Sequence, residues 1–214
     1  MIVTDWSGLY AAGNHSEIAA QILSENSQLD LTALGIDTFA TIESAGYVEI
    51  EVRDALEADC GGGGYYRHRP PTIYLHPSIW RRDNFTLLHE LGHHIQQHHP
   101  EWAYFLLDLP TEVRRRTEEA ISNQIATQIL LPWDKGTVDA HTAHPADVMA
   151  GLYHAHGASR SAVVERVKGL LPVNAKWILS VASANGMVQH AGTTYGDYPP
   201  KPGSTDVDGG VGGS

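Results

Sequence analysis

Asn84-Phe85-Thr86-Leu87-Leu88-His89-Glu90-Leu91-Gly92-His93-His94-Ile95-Gln96-Gln97-His98-His99 is the stretch from which both the fold and the chemistry are read. Phe85, Leu88, Gly92 and Ile95 recur at helical spacing beside Leu87 and Leu91, which predicts a buried amphipathic helix with its histidines on the polar margin. Residues four apart on a helix point to the same side. His89 and His93 therefore offer two imidazole nitrogens to one metal ion at the ~2.0–2.1 Å that zinc requires. Glu90 sits roughly 100° around the helix. It is too short and wrongly aimed for a third ligand, but it can reach a water at the same ion, which is the place of a general base. The chain holds 13 histidines, so the competing reading is an ordinary core pair. Two buried rings facing the core without a metal would each carry a desolvation cost.

A catalytic zinc of this kind takes three protein ligands and leaves one position open. His99 stands ten residues after His89, the spacing of H-E-x-x-H-x-x-G-x-x-H. That pattern needs a glycine to turn the chain back, and here the position is Gln96, a good helix former. A helix continuing to His99 carries it roughly 9 Å past His93. The stronger candidate lies in Glu118-Glu119-Ala120-Ile121-Ser122-Asn123-Gln124-Ile125-Ala126-Thr127-Gln128-Ile129-Leu130-Leu131-Pro132. Ile121, Ile125 and Ile129 with Ala126 and Leu130 form one apolar stripe, and Pro132 ends the helix. Glu119 and Asn123 share a neighbouring face, where Glu119 can give a carboxylate oxygen and Asn123 can steady it or a ligating histidine. Taken alone, Glu119 reads equally as a solvated helix residue.

These blocks resemble the ImmA/IrrE metallo-endopeptidases. The family pattern runs from a short strand through a helix reading roughly F-T-x-x-H-E-x-x-H to a second helix reading E-x-x-x-N-x-x-A-x-x-x-L-x-P. Here those are Phe85, Thr86, His89, Glu90 and His93, then Glu119, Asn123, Ala126, Leu130 and Pro132. A third block, Leu152 to Val167, is similar to the family's small helical segment, and the likeness covers roughly Thr72 to Leu171. The resemblance implies His89, His93 and Glu119 as zinc ligands, Glu90 as catalytic base, and a gluzincin-like endopeptidase. It also implies a protein substrate, often a helix-turn-helix repressor encoded nearby. The fold it implies is α+β: a zincin-like core in which a small sheet packs on an active-site helix and a second ligand helix, followed by a helix-turn-helix-like segment.

The remaining chain sets bounds on this reading. At 214 residues and 42% hydrophobic content it can bury one sizeable core. We expect a metallopeptidase domain over 1–171 that includes a helical segment at 146–171. A strand pair or domain remnant follows over 172–194, then a disordered Gly/Pro-rich tail over 195–214. A net charge of −11 opposes a phosphate backbone, and Arg114-Arg115-Arg116 is the only compact basic run, so direct nucleic-acid binding is not expected. The turn at Gly157 and Ser159 nevertheless has helix-turn-helix spacing. The alternative function is therefore a DNA-binding or protein-docking regulator that keeps the fold without proteolysis. A hydrolase acting on a non-peptide amide would use the same residues. Cys60, the single cysteine, rules out an intrachain disulfide. No signal-like or membrane-length apolar run is present, so a cytoplasmic protein is expected.

Among the other elements, the spacing predicts a helix over Ser16 to Glu25 capped by Ser16 and a second over about Leu31 to Ser44. Strands are expected over Tyr47 to Arg53 and Thr72 to Leu75, with a flexible turn at glycines 61–64. The run Pro100 to Pro110 reads as an unusually apolar loop that packs on the core or lines a cleft. A strand pair is expected around Asn185-Gly186. Tyr104, His94, His98 and His154 are each conceivable donors to a developing oxyanion.

Overall fold

Each of the four short helices at the start of the chain begins where a side-chain oxygen can cap its free N–H groups. Asp5 caps α1 (Trp6–Ala11), Asn14 caps α2 (His15–Glu25), Asp30 caps α3 (Leu31–Ile36) and Asp37 caps α4 (Thr38–Ala45). The structure, a computed structural model, describes residues 4–54, 63–132, 145–170, 178–182 and 185–193. Cys60, glycines 61 and 62 and the tail over 195–214 lie outside the described residues. The single helix expected over Leu31 to Ser44 is two. Asp37 leaves the helical region and turns its carboxylate onto the N–H of Ala40 at 3.1 Å, which ends one helix and starts the next. Ser16 is not the cap of α2; Asn14 takes that place and accepts from Glu17.

A three-stranded sheet follows, built from β1 (Glu49–Val52), β2 (Gly64–Arg67) and β3 (Thr72–Leu75) in the order β1-β3-β2. β3 is central and buried throughout, parallel to β1 and antiparallel to β2. This leaves β2 at one edge among the described residues. Its first residue, Gly64, was expected in a flexible turn.

The long helix α5 (Trp80–His98) leaves the sheet and carries the His-Glu pentapeptide. The apolar segment read as a loop is a helix, α6 (Pro100–Leu107). Pro100 occupies its first turn, where a missing N–H costs nothing, and His99 Nδ1 caps it by accepting from the N–H of Trp102 at 3.2 Å. Trp102 and Leu106 are buried while Tyr104 and Leu107 face outward, so this segment serves the core on one side only.

Helix α7 (Thr111–Leu130) packs against α5, and both helices bury apolar side chains, Leu88, Leu91 and Ile95 on α5 and Ile121, Ile125 and Ile129 on α7. At Gly92 the two helices approach closely. A Cβ there would lie 3.0 Å from Ser122 Cα and 3.3 Å from Ser122 Cβ and O. No helix among the described residues is long and apolar enough to cross a membrane.

The chain divides into two compact units, one of Met1–Trp133 with His156–Ala158 and one of Asp134–Ala155 with Ser159–Ser214. In the second, α8 (Pro145–Ala155) packs on α9 (Arg160–Leu170), and α9 packs on an antiparallel pair, β4 (Ile178–Ala182) and β5 (Val188–Thr193). Ser159 Oγ accepts from the N–H of Ala162 at the start of α9, as its sequence predicts. The strand pair forms a sheet of its own and does not extend the first one.

The Gly92 contact leads to a stability test. Gly92→Val should overpack the α5–α7 crossing and destabilise the fold by about 1–3 kcal/mol. Urea unfolding should show this as a lower midpoint with an unchanged slope.

Candidate metal centre

Because α5 and α7 run antiparallel at that crossing, successive turns of one meet successive turns of the other. His89 meets Asn123, His93 meets Glu119, and Gln96 meets Ser122 and the Glu118 carbonyl. Helical periodicity then brings His89, His93 and Glu119 to one point. Their candidate donor atoms all lie within 4.8 Å of one another, a group that could hold a metal ion.

The distances test the fit. His89 Nε2 and His93 Nε2 are 3.2 Å apart, and the Glu119 carboxylate stands 3.3 Å from His89 Nε2 and 3.6 Å from His93 Nε2. Donors placed ~2.0–2.1 Å from one tetrahedral ion are separated by about 3.3 Å. The imidazole pair matches one such edge, and Glu119 faces the two rings with different oxygens, Oε2 toward His89 and Oε1 toward His93, so the carboxylate caps the pair rather than completing a regular face.

The protonation chemistry agrees. Asn123 Oδ1 accepts from His89 Nδ1 at 2.9 Å, which fixes the proton on Nδ1 and leaves the Nε2 lone pair aimed at the shared point. Burial holds the His89 imidazole below its ordinary value of 6.5, and it outweighs Glu119 and Asn123, which pull upward. Burial, then the neighbouring His89, holds His93 well below that value against the pull of Glu119. Both rings are thus neutral donors near pH 7. A proton between them would satisfy two of these three atoms, whereas a cation satisfies all three. Glu119 is half exposed, with its side chain at 49% accessibility, so the centre is closed on the α5 side and open at the carboxylate.

Glu90, one residue further round α5 than His89, packs against β2 and still feels the charge of Glu119. It is buried, at 8% exposure. Burial, joined by the negative charge of Glu119, pushes its carboxyl up to about 7, while the backbone N–H of Tyr66 donates to it and opposes the rise. The edge strand can come this close because residue 64 is glycine. A Cβ there would lie 2.6 Å from Thr86 Cγ2 and 3.6 Å from Glu90 Cγ. Neither Gly64 nor the Tyr66 N–H figured in the sequence reading, which took the glycines for a turn. The signal available was the Tyr65-Tyr66-Arg67 run after them, with β propensity on both aromatics.

The extra histidines do not join the centre. His99 uses Nδ1 to cap α6 and Nε2 to bind Glu25 at 2.8 Å, so the ten-residue spacing from His89 supplies no ligand. His94 Nδ1 meets the Tyr66 hydroxyl at 2.9 Å, and His98 Nδ1 donates to the His94 carbonyl at 2.8 Å. Burial, with His98 and His68 adding, holds His94 down at about 4. Tyr104 is 71% exposed on α6, and His154 lies on α8 in the second unit.

No protein-family model and no curated protein matches this chain. Among solved structures, a chain described as a Mycobacterium tuberculosis transcriptional regulator superposes with a TM-score of 0.53 at 14% identity, over 85% of this chain and 55% of its own length. Identity at that level speaks to the fold alone. It is in keeping with an α+β chain, mostly helical with a small sheet, that spans little more than half of that neighbour.

Two outcomes follow for metal binding. Asn123→Ala should leave the fold intact and weaken affinity for cobalt(II) about 10- to 100-fold, because His89 loses the partner that fixes its tautomer; competition against a chromophoric chelator measures it. In the wild type, lowered imidazole values leave the lone pairs free past the ordinary 6.5. Affinity should therefore stay level as pH falls from about 8 to 6.5 and decline only further down.

Proposed function

We propose that this protein is a zinc-dependent endopeptidase with a zincin-like core, its ligands His89, His93 and Glu119 and its catalytic base Glu90. The observation that carries the reading is the convergence of two neutral imidazoles and one carboxylate, their donor atoms within 4.8 Å of one another, with a separate buried carboxyl one residue along the same helix. Two nitrogens and one oxygen suit zinc among the biological divalent ions. The motif blocks shared with the ImmA/IrrE endopeptidases point the same way.

When bound, zinc supplies Lewis acidity at the position that three protein ligands leave open. The protein's part is to bind and to move protons. His89 and His93 would hold the ion as neutral donors, with Asn123 orienting His89, and Glu119 would balance part of the charge. Glu90 acts at its carboxylate oxygens: it takes a proton from the attacking water and returns it to the leaving amine nitrogen. A carboxyl near pH 7 serves both steps, since it accepts and releases a proton with little driving force lost either way. The outward edge of β2 lies beside Glu90, where an extended peptide backbone would be presented. The substrate in this reading is a regulatory protein, with a helix-turn-helix repressor the leading class.

The second reading is a non-proteolytic regulator that docks on protein or DNA. The description of the structural neighbour as a transcriptional regulator favours it, and the net charge of −11 opposes its DNA-binding form.

Zinc content and cleavage separate the two. Purified wild type should hold about one zinc per chain, lost in His93→Ala and Glu119→Ala. Glu90→Gln should keep the zinc and lower cleavage by about 10²- to 10⁴-fold. Cells carrying wild type should then contain new protein N-termini that are absent with Glu90→Gln. A wild type without zinc after reconstitution, or a Glu90→Gln chain with full biological effect, would move the assignment to the regulator.

A further inference from the structure

Glu119 is the least anchored of the three proposed ligands. Its side chain is half exposed, and among the described residues its carboxylate makes ion-pair contacts with the two imidazoles alone. Its position therefore depends on where α7 places its backbone. A slip of one residue along α5 would move that backbone ~1.5 Å and turn it ~100°, carrying the carboxylate off the imidazole pair.

In the apolar part of the crossing only shape opposes such a slip. Isoleucine and leucine side chains pack without direction, and the Gly92–Ser122 contact sets how closely the helices approach rather than where they stop. Directional contacts across the crossing are the His89–Asn123 hydrogen bond at 2.9 Å, which acts on a ligand itself, and Gln96, which is 1% exposed and bonds α7 next to Glu119. The Gln96 amide nitrogen donates to the Glu118 carbonyl at 3.0 Å and to Ser122 Oγ at 2.8 Å, and its oxygen accepts from the Trp102 indole N–H at 3.0 Å. The indole can only donate, so it holds the Gln96 oxygen toward α6 and turns both amide hydrogens toward α7. Glu118 is the residue immediately before the ligand.

We infer that Gln96 is a positioning residue of the metal centre, fixing the register of α7 on α5 so that Glu119 meets His89 and His93. This rests on the assignment of Glu119 as a ligand above. The residue that keeps α5 helical where a metzincin glycine would turn it also locks the third ligand that such a turn would have replaced.

Gln96→Met removes all three hydrogen bonds at similar volume, while Ser122→Ala removes one acceptor and keeps the Glu118 bond. Cobalt(II) affinity and the visible absorption of the cobalt-loaded chain are read for both and for wild type, beside the melting temperature without metal. For Gln96→Met we expect at least about a tenfold loss of affinity and a changed absorption band, and for Ser122→Ala a value within about twofold of wild type with the band unchanged. If Gln96→Met melts earlier but keeps wild-type affinity and band, Gln96 serves packing alone and the inference is overturned. Gln96→Glu, which keeps the Trp102 bond and sets an acceptor against the Glu118 carbonyl, should repeat the loss if the methionine variant fails to fold. A wild type that binds no cobalt overturns the ligand assignment first. One that binds, and loses metal in Glu119→Ala but not in the Gln96 variants, overturns only this inference.

Discussion

The approach of α5 to α7 at Gly92 and Ser122 is the constraint on which the rest of the first unit depends. Two helices that close bring an imidazole and a carboxylate, each two bonds or more from its backbone, within one coordination sphere; a larger residue at 92 would hold them apart. The same proximity lets a glutamine amide span from one helix to a main-chain carbonyl of the other. Around this crossing, the sheet and α6 act as supports: β2 sets the environment of Glu90 from one side, and Trp102 orients Gln96 from the other.

Burial, more than any single charge, decides the chemistry of the centre. It lowers His89 although Glu119 stands 3.3 Å away and would raise it, and it raises Glu90 against a hydrogen bond that would lower it. Neutral imidazoles and a carboxyl near neutrality are what metal ligation and proton transfer ask of these groups. One low-dielectric helix face thus gives two kinds of side chain their opposite shifts.

The candidate site was largely legible in the sequence because it is a local pattern on regular helices. Spacing of four brings His89 to His93 and Glu119 to Asn123 without any knowledge of the tertiary fold, and Gln96 correctly signalled that α5 would run on past His93. What was illegible depended on contacts from afar. Gly64 reads as a turn residue until Thr86 and Glu90 are seen to occupy the space of its missing side chain. The segment from Pro100 reads as a loop until His99 is seen to cap it, and histidine is a weak cap signal beside Ser, Asp or Asn. The break at Asp37 was available as a capping signal, but it was hidden by an apolar periodicity that continues across it. Roles for His94 and His98 could not be read because their partners are a hydroxyl and a carbonyl at positions set by packing.

The packing of Glu90 against β2 bears on how this chain avoids its own kind. An edge strand is a template for any other strand that exposes a matching row of donors and acceptors. β2 is four residues long, and a carboxyl of the same chain packs beside it, Glu90 Cγ lying 3.6 Å from where a Cβ on Gly64 would stand. A second strand arriving there finds a short edge with a buried acid behind it. The group that the proposed chemistry uses as a base therefore also works against indiscriminate sheet extension, so its replacement by an apolar residue would expose the edge to association as well as removing a proton acceptor.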